Sequence, residues 1–380
     1  EAEELLRIIE NAYQYAWGDQ GSMSAEEDFD DDDLPTEEYL EEIRQKERET
    51  PSRHPPVSDH RQLLKWMNAR HSQTFDGRAL VWSKIYGENG AEDYTLGPVT
   101  EINKLYQPYS VWVTDDKAIL LGKWWRDHPG AMRSRGFTIR PDLPPGPLGM
   151  DKPFNMWTGW GIEPRKGDWT CYRRLIEEGL CAGVKEHSEY VLNWIALLLQ
   201  SPTTLHKVAL VFRGDKGSGK STLGLALKMA LGTHAAKADS AEAVTGRFNW
   251  HLKSKVFLLA EEVRWMQGKG GESVLKSLIT DPERSYESKG INAVQGQNYI
   301  SMMITSNEDW VVPASLRDER RYAAFNVDPE LKKDNDLWLQ IYKGFTGIPH
   351  KAPIAAMMYD LLRRDISNFD PIRSTPRTEA

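Results

Sequence analysis

Apolar positions along the chain follow two different patterns. In the first part, Leu5, Leu6, Ile9, Tyr13 and Ala16 recur on one side at helical spacing and predict a helix over 1–17, and a charged helix is expected over 36–48. Pro51, Pro55 and Pro56 then break the chain before another helix begins near Ser58. From Leu80 to about Gly136, short β-rich runs such as Leu80–Tyr86 and Tyr109–Thr114 alternate with polar turns, which suggests a small mixed region. Four prolines and two glycines between Pro141 and Gly149 mark a boundary or extended connector. Residues 168–200 read as helical and end in the apolar stretch Val191–Leu199.

The second pattern begins at Lys207. Val208–Phe212 is a short apolar run that leads straight into a glycine-rich segment, and Ser221–Leu231 reads as a helix. A second run, Val256–Ala260, ends at Glu261-Glu262, and a third, Ile300–Thr305, ends at Ser306-Asn307. Runs that are apolar throughout suit strands covered on both faces. Separated by helical spacers, they predict a parallel α/β sheet with its ligand chemistry at the C-terminal ends of the strands.

Charge alters the picture only once it is located. The 380 residues carry a net charge of −8, but residues 1–50 hold 18 acids and 4 bases, so the rest is mildly basic. The acids concentrate around Glu26–Asp33, the composition of a disordered linker. A mildly basic remainder permits a polyanionic partner without requiring one. Tyr190–Leu199, the longest strongly apolar stretch, is about half of the ~20 residues a membrane span needs. The two cysteines, Cys171 and Cys181, and nine scattered histidines support neither a disulfide framework nor a zinc site, and a reducing cytosol fits best.

The strand ends carry the candidate chemistry. Gly214, Gly219, Lys220 and Ser221 fill the pattern G-x-x-x-x-G-K-[ST], and the loop with its first helical turn comprises Gly214, Asp215, Lys216, Gly217, Ser218, Gly219, Lys220, Ser221 and Thr222. Glycines let backbone N–H groups surround a phosphate, Lys220 neutralises charge, Ser221 ligates Mg2+, and the following helix presents its positive end, so ATP with Mg2+ is expected here. Glu261 would hold the metal's hydration shell and Glu262 would polarise the attacking water, because a strand points neighbours in opposite directions. Asn307 can orient water beside the γ-phosphate without the repulsion a carboxylate would bring. Arg321 is the candidate finger for a neighbouring subunit's phosphoryl transition state, whereas Arg320 reads as a surface ion-pair residue. Among the tryptophans, Trp194, Trp82 and Trp112 are expected in the core, while Trp124-Trp125, beside Lys123 and Arg126, is the candidate base-stacking pair.

This ordered set of phosphate loop, acidic pair, strand-ending Asn and Arg resembles the superfamily 3 helicases of small viruses, phages and plasmids, which are AAA+ ATPases. Gly246-Arg-Phe-Asn-Trp250, Asn155-Met-Trp-Thr-Gly-Trp160 and Tyr190–Leu199 are similar to the helicase portion of phage primase-helicase or primase-polymerase proteins. The resemblance spans about residues 150–330. It implies an AAA+ P-loop core with a parallel sheet flanked by helices, preceded by a small mixed α/β region and a helical segment. The expected divisions are 1–57 (helix, acidic linker, charged helix), 58–149 (accessory α/β), 150–200 (helical), 201–330 (ATPase core) and 331–380 (C-terminal helices). The resemblance also implies a channel hairpin between the acidic motif and the Asn, which places Lys289 at its tip against single-stranded DNA, with Lys276 on the preceding helix as a second contact. It further implies a ring, most simply a hexamer, and a primase or polymerase domain ahead of Glu1. Many AAA+ relatives carry Asp then Glu where this chain has Glu261-Glu262, so the division of roles between the two stays open. The function expected is an ATP-dependent DNA helicase of viral, phage or plasmid replication in the cytoplasm of a host cell, with no membrane partner. The alternatives are a remodelling or DNA-packaging ATPase and a non-hydrolysing, nucleotide-dependent assembly module.

Overall fold

The computed structural model describes residues 55, 58–75, 79–86, 92–261, 269–288, 291–307, 320–346, 352–376 and 378. The fold is that of the compact unit Val57–Ala380. The helices expected over 1–17 and 36–48 and the acidic linker between them lie outside the described residues.

The unit begins with α1 (His60–Asn68), capped by Asp59, whose carboxylate accepts from the backbone N–H groups of Arg61 and Gln62. An antiparallel sheet follows, β1 (His71–Phe75), β2 (Ala79–Tyr86) and β3 (Glu92–Pro98), in the order β1-β2-β3. After α2 (Glu101–Leu105) come the hairpin β4 (Ser110–Thr114) and β5 (Lys117–Leu120), then α3 (Leu121–Asp127). A second small sheet, ordered β6-β8-β7, is built from β6 (Ser134–Thr138), β7 (Gly146–Pro147) and β8 (Lys152–Asn155). The proline-rich stretch is a closed loop within this sheet. Asn155 holds it, its side-chain amide donating to the carbonyls of Arg140, Leu143 and Pro144 at 2.9–3.1 Å. The sheet therefore runs across the expected division at 149.

Two of the tryptophan expectations fail. Trp112 is 62% exposed, because only one side of the β4–β5 hairpin is covered and Val111 takes the inward position, so the period-two alternation turns Trp112 outward. Trp124 and Trp125 are buried at 7% and 0% exposure. The Trp125 indole donates to Asn68 Oδ1 at 2.8 Å, and Trp124 packs between His60 and His128. Neither ring is open to a base. Trp194 and Trp82 are core residues as expected.

The chain continues through α4 (Thr170–Arg174) directly into a π-helical turn, Leu175–Leu180, and then α5 (Lys185–Gln200). The α/β layer has β9 (Ala209–Arg213), α6 (Lys220–Leu231), β10 (Ala235–Ala238), α7 (Ala241–Thr245), β11 (Phe257–Glu261), α8 (Lys269–Thr280), the hairpin β12 (Glu283–Ser288) and β13 (Ile291–Gln297), β14 (Ser301–Ser306), β15 (Tyr322–Asn326), α9 (Asn335–Thr346) and α10 (Ala352–Leu361). Five strands form one sheet in the order β10-β11-β14-β9-β15, every pairing parallel. Alternate side chains enter two cores. Leu210, Phe212, Phe257, Leu259, Met303 and Phe325 face the side packed by residues of α5, α6 and α10. Val211, Leu258, Ala260, Met302 and Ile304 face the side packed by Leu275, Leu278 and Ile279 of α8 and by Tyr286. Continuous apolar runs are the direct result of this double coverage.

The small sheets join this layer through an aromatic nest. Trp82 of β2 stacks on Phe154 of β8 and on Trp250, with ring centroids 5.2 and 6.1 Å away. Lys253 enters the nest, its Nζ 3.5 Å from the Trp82 ring centroid, 4.1 Å from that of Trp250 and 4.6 Å from that of Phe137. No hydrogen-bond acceptor reaches it among the described residues. Three ring faces replace only part of the lost hydration, so burial, reinforced by the charge of Lys255 and opposed by that of Asp93, holds the Lys253 amine well below its ordinary value of 10.5. Between the folded and unfolded values, unfolding takes up a proton, so this residue makes stability rise with pH across that window and fall on acidification. Replacing Lys253 with Met should remove that contribution, which can reach about 1.4 kcal/mol per pH unit. The check is to compare urea midpoints of the two proteins from pH 7 to 10; parallel curves would exclude the effect.

Candidate functional site

The phosphate-loop sequence joins β9 to α6 beside β14. Gly214 N–H donates to Ser306 O at 3.2 Å, so the loop leaves the sheet hydrogen-bonded to the end of the neighbouring strand. At the other end Gly219, with φ +87°, sits left-handed just ahead of α6. A side chain there would be strained by the backbone and would meet Trp338 and Leu175, so glycine is required. Twelve residues of α6 then direct their positive end at the loop.

Lys220 is 6% exposed. Its ammonium donates to Gly214 O and Asp215 O, both at 2.7 Å, and to Asn307 Oδ1 at 2.9 Å. Two backbone carbonyls and one amide oxygen thus surround the cation, the kind of hard oxygen shell that phosphate oxygens also provide. Ser218, itself buried, donates its hydroxyl to Asp215 O at 2.9 Å and tightens the loop.

Glu261 ends β11, one strand beyond β14, where it pairs in register with Thr305. Burial would raise its carboxyl pKa, but hydrogen bonds from Lys237 and Ser221, with the charges of Lys237 and Lys220, outweigh burial and lower it, so the group is a carboxylate at neutral pH. Lys237, on β10, forms the ion pair with it. The structure therefore brings Lys220, Ser221, Glu261 and Asn307 together at adjacent strand ends. Asp215 and Lys216 are exposed on the loop, and Thr222 continues the first turn of α6, its N–H bonded to Gly219 O. Among the described residues, no cluster of three or more His, Cys, Asp or Glu could hold a metal. A magnesium ion carried by nucleotide phosphates needs only one or two protein oxygens, and the Ser221 hydroxyl and Glu261 carboxylate suit it.

Other expected residues are placed elsewhere. Arg321 lies at the opposite end of the sheet, its carbonyl accepting from Ala209 N–H at the start of β9. The register pairs Tyr322 with Ala209 and Asn326 with Arg213. The five residues of β9 separate that end from the loop, about 16 Å. Lys276 is half-buried on α8, ahead of the β12–β13 hairpin. Glu262 and Lys289 lie outside the described residues.

Known proteins share parts of this arrangement. Sequence similarity reaches the DNA primase-polymerase of Nitratiruptor phage NrS-1, 28% identical over 146 residues, which is 37% of this chain and 20% of that protein. The chain thus spans about a fifth of the length of that relative. A solved structure, the apo form of the NrS-1 C-terminal region, superposes with a TM-score of 0.61 at 18% identity, covering 87% of this chain and 73% of the other. The A form apo structure of that region gives a TM-score of 0.57 at 19% identity over 77% of this chain and 66% of that one. The two share a fold. The model of a family of unknown function, DUF5906, matches residues 212–321, the segment from the end of β9 to Arg321.

Some participants were not legible in the sequence. Lys237 stands in Ala-Ala-Lys-Ala, too short and bland a run to announce a strand, and its meeting with Glu261 depends on the β10–β11 register. Within Gly246–Trp250, the buried Asn249 is an anchor. Its amide donates to Ser285 O at 3.0 Å and its oxygen accepts from Glu287 N–H at 2.9 Å, fixing the stem of the β12–β13 hairpin. Next to it, Arg247 pairs with Glu287 and Phe248 is 55% exposed. Exchanging Asn249 for Ala leaves two backbone groups unmatched and should cost ~1–3 kcal/mol of stability. Hydrogen exchange at residues 284–297 is expected to accelerate in that variant, and unchanged protection there would show that the hairpin does not depend on Asn249.

Proposed function

We propose that this chain is the ATP-driven motor of a phage-type replication protein, a superfamily 3 AAA+ helicase that moves along single-stranded DNA. The observation that carries the reading is the convergence of Lys220, Ser221, Glu261 and Asn307 at the ends of β9, β11 and β14. ATP binding exchanges the carbonyl partners of Lys220 for phosphate oxygens. Ser221 and Glu261 would hold Mg2+, which when bound would neutralise phosphate charge. Glu262, the next residue after Glu261, accepts the proton of the attacking water. Asn307, freed from Lys220, is positioned to orient that water.

Arg321 stands just before β15, at the end of the sheet away from the loop of its own subunit, which supports a role in trans and a head-to-tail ring, most simply a hexamer. Such a ring would gather the β12–β13 hairpins, with Lys289 at their tips, around one DNA strand. Lys276 and the exposed Arg247 and Phe248 beside the hairpin stem would extend that surface. Likeness to a primase-polymerase supports a primase or polymerase partner domain in the intact protein and action in the host cytoplasm. Among the described residues, no helix is long and apolar enough to cross a membrane.

ATP hydrolysis by the purified chain, followed at several protein concentrations and low salt, should rise with added unstructured single-stranded DNA and vanish in Lys220→Ala. Hydrolysis indifferent to DNA would instead indicate a remodelling ATPase. Arg321→Ala should retain ATP binding but lose turnover by ~10³-fold or more, and mixing it into wild-type protein should depress activity more than in proportion. Strictly proportional loss would rule out the shared site.

A further inference from the structure

The phosphate loop has a second flank, away from Glu261 and Asn307. There the ring of Trp338, near the start of α9, and the side chain of Leu175, in the π-helical turn, close on Gly219. The half-buried Trp338 ring is fixed by its own N–H, which donates to Leu331 O at 2.7 Å. Arg174 meets Asp334 at 3.0 Å, and Asp328 N–H donates to Gly179 O at 2.9 Å, so the two segments that supply these side chains are bound to each other. Beside them Lys332 reaches Asp215 on the loop, Nζ to Oδ2 3.4 Å. An aromatic ring, an aliphatic side chain and a cation thus stand together against the loop, contributed by chain on either side of the five-strand sheet's sequence.

We propose that this flank is the base-side half of the nucleotide site: Trp338 with Leu175 forms the apolar platform for the base, and Lys332 leaves Asp215 for the phosphates nearest the ribose. The inference rests on the loop being a nucleotide site at all. If the terminal phosphate lies between Lys220, Ser221, Glu261 and Asn307, the remainder of the nucleotide must leave the loop away from them. A base needs a flat apolar contact and the inner phosphates need positive charge, and the flank supplies both. Asp215, exposed and next to Lys332, keeps that cation at the rim until phosphate competes for it.

The test is calorimetric titration of the full chain with Mg·ATP and, separately, with Mg·tripolyphosphate, which has no base. Trp338→Ala should weaken ATP about tenfold while changing tripolyphosphate less than about twofold, and Trp338→Phe should recover most of the ATP affinity. Lys332→Met should weaken both ligands by a similar factor, about fivefold. Unchanged ATP affinity in Trp338→Ala, or equal loss for both ligands, overturns the platform while leaving the nucleotide site intact. Wild-type protein that binds neither ligand overturns the nucleotide site and this proposal with it.

Discussion

A parallel sheet covered on both faces can keep almost no polar chemistry except where its strands end. Here five strands bury alternate side chains in two cores, so the groups able to handle a charged ligand are pushed to one edge of the layer. Placing β9 between β14 and β15 sets the rest. The loop after β9 emerges next to Asn307, with Glu261 one strand further, and the same strand's other end lies beside Arg321. The spatial relation among these residues follows from strand order, not from their distances in sequence.

Much of this was legible because it is local. A continuous apolar run of five residues, a glycine-rich turn and a helix follow one another between 208 and 231, and each has its own signature. The runs ending at Glu261 and Asn307 were visible for the same reason, since double coverage leaves strands without polar alternation. Pairings were not legible. The Lys237–Glu261 ion pair depends on the β10–β11 register, and Asn249 reaches the hairpin across 36 and 38 residues, relations that leave no periodic trace. The tryptophans misled for a related reason. Trp112 lies in an apolar run, yet a two-stranded hairpin covered on one side has an outer face whatever its composition, and the basic neighbours of Trp124-Trp125 say nothing about where the rings point.

The small sheets are held to the large one by aromatic rings and by a lysine that, among the described residues, meets no hydrogen-bond acceptor. Lys253 is a costly residue to bury, and its environment of Trp82, Trp250 and Phe137 ties the strength of that junction to pH. Junction and phosphate loop are separate arrangements. One is closed by rings around a lysine nitrogen, the other by oxygens around a lysine nitrogen, and the contrast shows how far the neighbours alone decide what surrounds the same functional group.

Asn249 grips the β12–β13 hairpin only through main-chain atoms, the carbonyl of 285 and the N–H of 287. Such a grip places no demand on which side chains those positions carry. A lineage can therefore rewrite the hairpin's outward residues, and with them whatever that hairpin touches, one mutation at a time without loosening its mount, so this part of the molecule is free to diversify while its frame stays constant.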